Sequence, residues 1–347
     1  MKKYKFENLV EFAARILTKA GLEREKAKTV GEVLVTADAM GHTTHGLAYL
    51  PIYINALKQG AMKPSGLPEI LKDKGAIVAW NGKRLSGIWL LNEAIKVATK
   101  RAKEFGMCLM TIQEAHHTGC LAAFLPQITE QDLVGYIAVS GPSGKAVVPF
   151  GGKTPVLTPN PIAIGIPTNG IPILIDISCS ITTNSMAARL QKQRKKFPGK
   201  WAQDRNGIAT DDPSVLLKEN KGGLLPLGGE EYGHKGFALG IMVEAFSQGL
   251  AGYGRADMPT GSQTNVFIQI TDPDAFAGVE AFKRQTSHLV HACLESAPID
   301  PDKPVRLPGS LAMKGLVEAK QYGLKLSSET INSLKTVAKE FNVSLPQ

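Results

Sequence analysis

The sequence predicts an α/β fold in which helices at both ends flank a mixed central region. Residues 6–40 and 311–341 carry apolar side chains at helical spacing. Short β-rich runs at 108–112, 135–140, 162–166, 171–175 and 266–270 are confined to the middle. Glycine and proline crowd residues 141–172, as turns between short strands require. The helices at the two termini are expected to pack together as one helical unit.

Leu9, Phe12, Ala13, Ile16 and Leu17 mark a first helix that Gly21 ends, and Ala27, Val30, Val33, Leu34 and Ala37 mark a second within 25–39. A third spans 50–57 and closes at Gly60. Further helices are expected over 88–105, 121–131, 182–196 and 235–248, the last apolar enough to read as buried. A polar excursion runs from the 182–196 helix to Gly223. A long helix over 274–297 and a proline-rich connector over 298–308 lead to closing helices at 311–323 and 328–341. Ser327 or Ser328 supplies the N-cap of the last one.

The chain has 347 residues, 43% hydrophobic and 20% charged, which is ordinary for a globular protein with a substantial core. The net charge of +9 raises the question of nucleic acid. The only dense basic run, Arg189 to Lys196, has no aromatic side chain interleaved, so it reads as a solvated helix face and no nucleic-acid partner is expected. Residues 1–7 lack the apolar core of a signal peptide, and no apolar run is long enough to span a bilayer. A cytoplasmic protein without a membrane partner is expected. Cys108, Cys120, Cys179 and Cys293 lie far apart and form no CxxC pair, which argues for reduced thiols and against structural zinc.

Four of the seven histidines fall in two short clusters ended by glycine, His42-Thr-Thr-His45-Gly46 and His116-His117-Thr118-Gly119. Histidine titrates near neutrality, so such clusters point to proton transfer near pH 7. No carboxylate accompanies either cluster at ligand spacing, so no metal is expected. The G-x-G-x-x-G turn between strand and helix, the P-loop, the G-x-S-x-G elbow and H-E-x-x-H are all missing.

Six segments resemble landmarks of the type 2 malate/L-lactate dehydrogenase family, in the same order and spacing. Asp38-Ala-Met-Gly-His-Thr-Thr-His-Gly-Leu is similar to its G-x-x-S-H-G-L element, and Ala115-His-His-Thr-Gly to N-H-x-G. Val148-Pro-Phe-Gly-Gly152 with Asn160-Pro161 resembles P-x-G-G…N-P, and Leu174-Ile-Asp-Ile-Ser-Cys-Ser180 resembles L-D-x-A-T-S. His234-Lys-Gly236 and Leu307-Pro-Gly309 are similar to two later landmarks. That family also includes sulfolactate, ureidoglycolate and diketogulonate enzymes and cyclic imino-acid reductases.

The resemblance implies a nicotinamide-binding fold outside the Rossmann class, with a mostly antiparallel central sheet, in a homodimer whose active site lies near the subunit interface. It suggests three units: a helical domain of 1–75 with 300–347, a connecting and catalytic domain of 76–120 with 274–299, and a cofactor-binding domain of 121–273. It implies that His117 is the general acid/base, with His45 either a second proton donor or a holder of nicotinamide or substrate. Thr44 supplies a hydroxyl to that imidazole or to the substrate, and His42 and His116 support the pair. Gly119, Asn160, Asp176, Ser178, Ser180, His234, Lys235, Pro308 and Gly309 are expected around the cofactor. Among them, Asp176 suits a ribose hydroxyl, a nicotinamide amide or a histidine, Ser178 and Ser180 suit phosphate or carboxamide, and Lys235 suits phosphate.

Three departures bear on the substrate. Tyr49 stands where members acting on 2-hydroxy acids carry an arginine, Pro308-Gly309-Ser310 replaces P-G-E, and Thr158-Pro-Asn-Pro161 replaces G-T-N-P. Tyr49 is therefore expected at the substrate, and Lys145 is a candidate for the missing positive charge. The expected activity is hydride transfer between NAD, or NADP, and a small 2-hydroxy or 2-oxo acid. The alternatives are a reductase of a cyclic imino acid and a non-catalytic protein that keeps the fold.

Overall fold

A computed structural model describes residues 2–217, 219 and 222–346. The central sheet has seven strands: β1 (Glu69–Asp73), β2 (Ile77–Asn81), β3 (Met107–Ala115), β4 (Val134–Ser140), β5 (Ile162–Ile166), β6 (Ile173–Ile177) and, last in the chain, β10 (Thr264–Thr271). Their order is β1-β2-β3-β10-β4-β5-β6, and every neighbouring pair is antiparallel except β2 with β3. The mostly antiparallel sheet is the expected one. A three-stranded sheet of β7 (Ala202–Gln203), β8 (Ala209–Thr210) and β9 (Gly223–Leu224) occupies the polar excursion, where the sequence pattern is too short to show strands.

Helices α1 (Phe6–Lys19), α2 (Arg24–Ala39), α3 (Leu50–Lys58) and α4 (Gly87–Phe105) share one hydrophobic core with the sheet and with the closing helices. Those two are α9 (Ser310–Tyr322) and α10 (Ser328–Glu340), the latter capped by the Ser327 hydroxyl, which accepts the Thr330 N–H at 3.0 Å. Backbone bonds between Tyr4 and Leu324, 2.9 Å each way, tie the two ends of the chain together. The expected packing of the terminal helices is therefore present.

Several boundaries shift for local reasons. The helix expected over 121–131 is a 3₁₀ turn at Leu121–Phe124 followed by α5 (Pro126–Thr129), because Pro126 lacks an N–H and crowds the turn before it. Helix α6 (Asn184–Lys192) stops early, and Arg194 beyond it is left-handed at φ 53°. Helix α7 (Gly229–Glu244) runs into a π-turn over Ala245–Gly249. It is not the buried helix its composition suggests, since Ile241 and Phe246 are exposed. Helix α8 (Val279–Leu294) buries no residue at all.

The register brings five strand ends to one edge of the sheet. Ala115 at the end of β3 pairs with Thr264 at the start of β10, Asn265 pairs with Ser140 at the end of β4, and Ile162 at the start of β5 pairs with Ile177 at the end of β6. The second histidine cluster leaves the sheet at this edge. Ser86 caps α4 beneath it, and Gly87 lies so close that a Cβ there would fall 1.9 Å from the His116 carbonyl oxygen and 2.8 Å from that of His117. We expect Gly87→Ala to lower stability by about 1–3 kcal/mol through overpacking. It would also lower activity, because the clash falls on the histidine backbone; urea unfolding and turnover measure the two effects.

Candidate active site

The first histidine cluster follows α2, and its shape depends on Asp38. The Asp38 carboxylate accepts the Leu47 N–H at 2.8 Å, and only a residue without Cβ fits at Gly46, where a Cβ would lie 2.3 Å from that carboxylate. This bond folds the loop back and turns His45 toward the second cluster. Burial raises the Asp38 carboxyl to about 7, opposed by the Leu47 N–H and by Arg189.

His45, Tyr49 and His117 form a stack. The Tyr49 ring lies 4.8 Å from the His117 ring at 11° and 5.4 Å from the His45 ring at 13°, and the two imidazoles are 5.9 Å apart. Thr44 Oγ1 is 2.9 Å from Nδ1 of His45, and the Tyr53 hydroxyl is 2.8 Å from Nδ1 of His117. In both rings Nε2 is left for a ligand. The Gly119 N–H also points at Nδ1 of His117, at 3.3 Å. The Gly119 N–H can only donate, so Nδ1 accepts in this arrangement and the ring proton sits on Nε2; the Tyr53 phenol, which can donate or accept, suits either tautomer. Tyr49 reaches across to Ser185 on α6, hydroxyl to hydroxyl, at 3.0 Å.

Burial holds both imidazoles neutral. It lowers His117 to about 3, helped by His45 and His116, and lowers His45 to about 4, helped by His42 and Arg189. Neighbouring His116 is likewise depressed, to about 4, by burial and then by Arg84. Neutral stacked rings do not repel one another, which is what lets three aromatic groups crowd here.

The stack forms one wall of a cavity of about 370 Å³. Its other walls come from Val139–Gly141, Thr158–Pro161, Gly119–Leu121, Asp176, Ser178 and Thr183–Ser185. Of the residues expected from sequence, His45, Thr44, His117, Tyr49, Gly119, Asn160, Asp176 and Ser178 thus line one space. Ser180 lies just behind it, its hydroxyl donated to the Thr182 carbonyl at 2.6 Å. Asn160 holds the wall together: left-handed at φ 47°, it accepts the Thr158 hydroxyl at 2.6 Å and donates to Gly240 and Glu244 at 3.2 and 3.0 Å. Pro308 accepts the Leu174 N–H at 3.1 Å, and Gly309 sits where a Cβ would meet Leu174 at 2.5 Å, so both brace β6 from outside the cavity wall. His234 packs edge-on against Phe150, Lys235 lies over Tyr232, and Lys145 is exposed; none of the three lines the cavity.

Sequence reasoning passed over Asp38, Tyr53 and Ser185. Tyr53 was within reach, since it lies four residues after Tyr49, the N-cap of α3, one turn into that helix. Nothing local marks Ser185 as the partner of a tyrosine 136 positions away. The expectation of no metal ligands rested on spacing inside each cluster, whereas the fold brings donor atoms of His42, Cys120 and Asp176 from different segments within 4.8 Å of one another.

The cleft sets two neutral imidazoles beside Asp176 where the strand ends of a mostly antiparallel sheet meet. Comparison with known proteins identifies the reaction class. The chain belongs to the malate/L-lactate dehydrogenase family, whose model matches residues 4–335. It is accordingly an oxidoreductase. It is 30% identical over 338 residues to the malate/(S)-sulfolactate dehydrogenase of Methanothermus fervidus, covering 95% of this chain and 96% of that one. In fold it resembles the malate dehydrogenase of Entamoeba histolytica, with a TM-score of 0.93 at 24% identity, covering 100% and 99% of the two chains. It also resembles the delta1-piperideine-2-carboxylate reductase of Pseudomonas syringae, with a TM-score of 0.85 at 25% identity, covering 97% and 100%.

Removing the Tyr53 hydroxyl tests the stack. Tyr53→Phe takes away the 2.8 Å partner of His117 Nδ1. A hydrogen bond of this kind contributes about 1 kcal/mol, so turnover is expected to fall about five- to tenfold, with a comparable loss of about 1 kcal/mol in urea unfolding. Unchanged turnover would show that the ring needs no such support.

Proposed function

We propose that the chain is a nicotinamide-dependent oxidoreductase of a small 2-hydroxy or 2-oxo acid, in which His117 exchanges the substrate proton. The stack that places His45 and His117 together on one cavity wall carries this reading. The mostly antiparallel sheet supports a cofactor-binding mode outside the Rossmann class, since a Rossmann site needs parallel strands and a glycine turn.

The cavity's donor set suits a nicotinamide. The Cys120 thiol and the Ala122 N–H both donate to Oδ2 of Asp176, which leaves Oδ1 for an amide or hydroxyl, and Asn184 offers its carboxamide at the cavity wall. Val139, Leu121, Pro159 and Pro161 give apolar surface for a ring. Bound nicotinamide supplies the hydride chemistry, and the protein supplies orientation and the proton. For oxidation, His117 takes the hydroxyl proton at Nε2, which requires the tautomer with its proton on Nδ1, shared with the Tyr53 oxygen, and a turn of the Gly119 N–H away from that nitrogen. For reduction the same nitrogen returns that proton. His45, fixed through Thr44, directs its own Nε2 at the substrate oxygen. NAD is the preferred form in this reading: Lys192 pairs with Glu329 and Lys196 with Asp211, so part of the charge of the 189–196 run is already neutralised without a phosphate. The exposed apolar side chains Ile241, Phe246, Leu250 and Leu289 support assembly as a homodimer.

Tyr49 favours a second reading, reduction of a cyclic imino acid. A phenol stacked on His117 offers a flat face and no positive charge for a second carboxylate. Nicotinamide absorbance with a panel of 2-oxo acids and cyclic imines, run with NADH and with NADPH, decides between them.

His117→Ala is expected to lower turnover about a hundredfold or more while cofactor affinity changes little. Near-native turnover in that variant would remove His117 from proton transfer. The low values for the two imidazoles set the pH dependence. A base must be unprotonated, and protonation of these rings begins only as pH approaches about 4. We therefore expect kcat/KM for oxidation to stay level from neutrality down to about pH 5, where a free histidine would already be lost. A fall centred near the ordinary histidine value would contradict the assignment. Tyr49→Arg should tighten binding of dicarboxylates such as malate, because a guanidinium makes a charge-assisted pair that a phenol cannot. Weaker or unchanged KM, with the fold intact, would place the carboxylate elsewhere.

A further inference from the structure

Apart from the imidazole stack, one other cluster of chemically active side chains opens on the same cavity. His42 comes from the loop after α2, Cys120 from the turn after the second histidine cluster, and Asp176 from β6. One ligand atom from each lies within 4.8 Å of the others, and they are the only such group of three among the described residues. The Cys120 thiol points at Asp176 Oδ2 at 3.8 Å. In a tetrahedral zinc site, a thiolate and a carboxylate oxygen stand about 3.5 Å apart, so this edge is nearly at coordination spacing.

We propose that His42, Cys120 and Asp176 form a three-ligand site for a divalent thiophilic cation of the zinc class, with its remaining position facing the cavity. Sulfur, imidazole and carboxylate together match a borderline-soft ion, and they match neither magnesium nor calcium, which take oxygen ligands. Asp176 is preset: its Oδ2 accepts the Ala122 N–H at 2.8 Å, which holds the carboxylate in place. Cys120 is buried, packed in the turn that the same carboxylate pins. His42 makes no side-chain hydrogen bond among the described residues and is only half-buried, so its ring is free to close the remaining gap. A cation here sits in the space where the substrate and the nicotinamide ring bind in the reading above. Its consequence for the enzyme is therefore inhibition that a chelator reverses.

Cobalt(II) reports the site directly. The full-length protein, stripped with chelator, is titrated with cobalt(II) and then with zinc(II), following the thiolate-to-cobalt charge-transfer band and the heat of binding. One equivalent is expected to bind with the charge-transfer band present, and zinc should displace it. Cys120→Ser should abolish the band and weaken zinc binding at least tenfold. His42→Ala, at a half-buried loop position, should weaken binding similarly and serves as the second variant if Cys120→Ser fails to fold. Cys293→Ser, at the exposed cysteine, should leave the band unchanged. A band that survives in Cys120→Ser, or that disappears in Cys293→Ser, overturns the assignment. So does binding unaffected by His42→Ala. These readouts are independent of turnover, so they stand even if the proposed reaction proves wrong.

Discussion

The constraint on which the site depends is desolvation of its histidines. Burial drives His117 and His45 to about 3 and 4, far below the range where imidazole carries charge in water. A charged ring at either place would lack a counter-ion, since the nearby carboxyl of Asp38 is itself raised to about 7 by the same burial. Arg189 nearby further opposes a charge on His45. Aromatic stacking and the hydroxyls of Thr44 and Tyr53 then do the positioning that ion pairs do in wetter sites.

The scaffold that allows such burial is the sheet edge. Five strand termini meet there because the register of β3 with β10, β10 with β4 and β5 with β6 leaves their ends level. Loops leaving level strand ends enclose a space without any one of them being long. The close approach of α4 at Gly87 seals it from below. On the far side, Arg255 donates to Glu244 at 2.7 and 2.8 Å and to the carbonyl of Gly144 at 2.6 Å, and Glu244 in turn accepts Asn160. One half-buried ion pair thereby ties two of the cavity's backbone walls to each other.

Much of this was legible in the chain. Helical periodicity located the terminal helices, because each buries one stripe and the stripe repeats in the sequence. The residues of β3, β4, β5 and β10 are apolar enough to stand out. Strands β1 and β2 were not seen: β1 is exposed along its whole length and alternates no pattern that a buried face would impose. The histidine clusters were visible as candidates for proton transfer, whereas their helpers were not. Asp38 reads as one more helix residue until the Leu47 N–H is seen to reach it. Tyr49 drew notice only as a departure from a family pattern; that its hydroxyl ends on Ser185 is a fact of the fold. Local spacing likewise hid the convergence of His42, Cys120 and Asp176, which lie 78 and 56 positions apart along the chain and meet only when β6 is laid beside the cysteine turn.

Tyr49 also shows why a position can change without losing the site. An arginine there would bring a permanent charge against two imidazoles that desolvation keeps neutral, and it would depress both further or demand a carboxylate to offset it. The tyrosine lies nearly parallel to both rings and beside them, 5.4 Å from His45 and 4.8 Å from His117, and its hydroxyl bonds Ser185. The stack is then complete before any ligand arrives. Asn184 and Ser185 on α6 and Asp176 on β6 complete the polar lining of the cavity beside that stack.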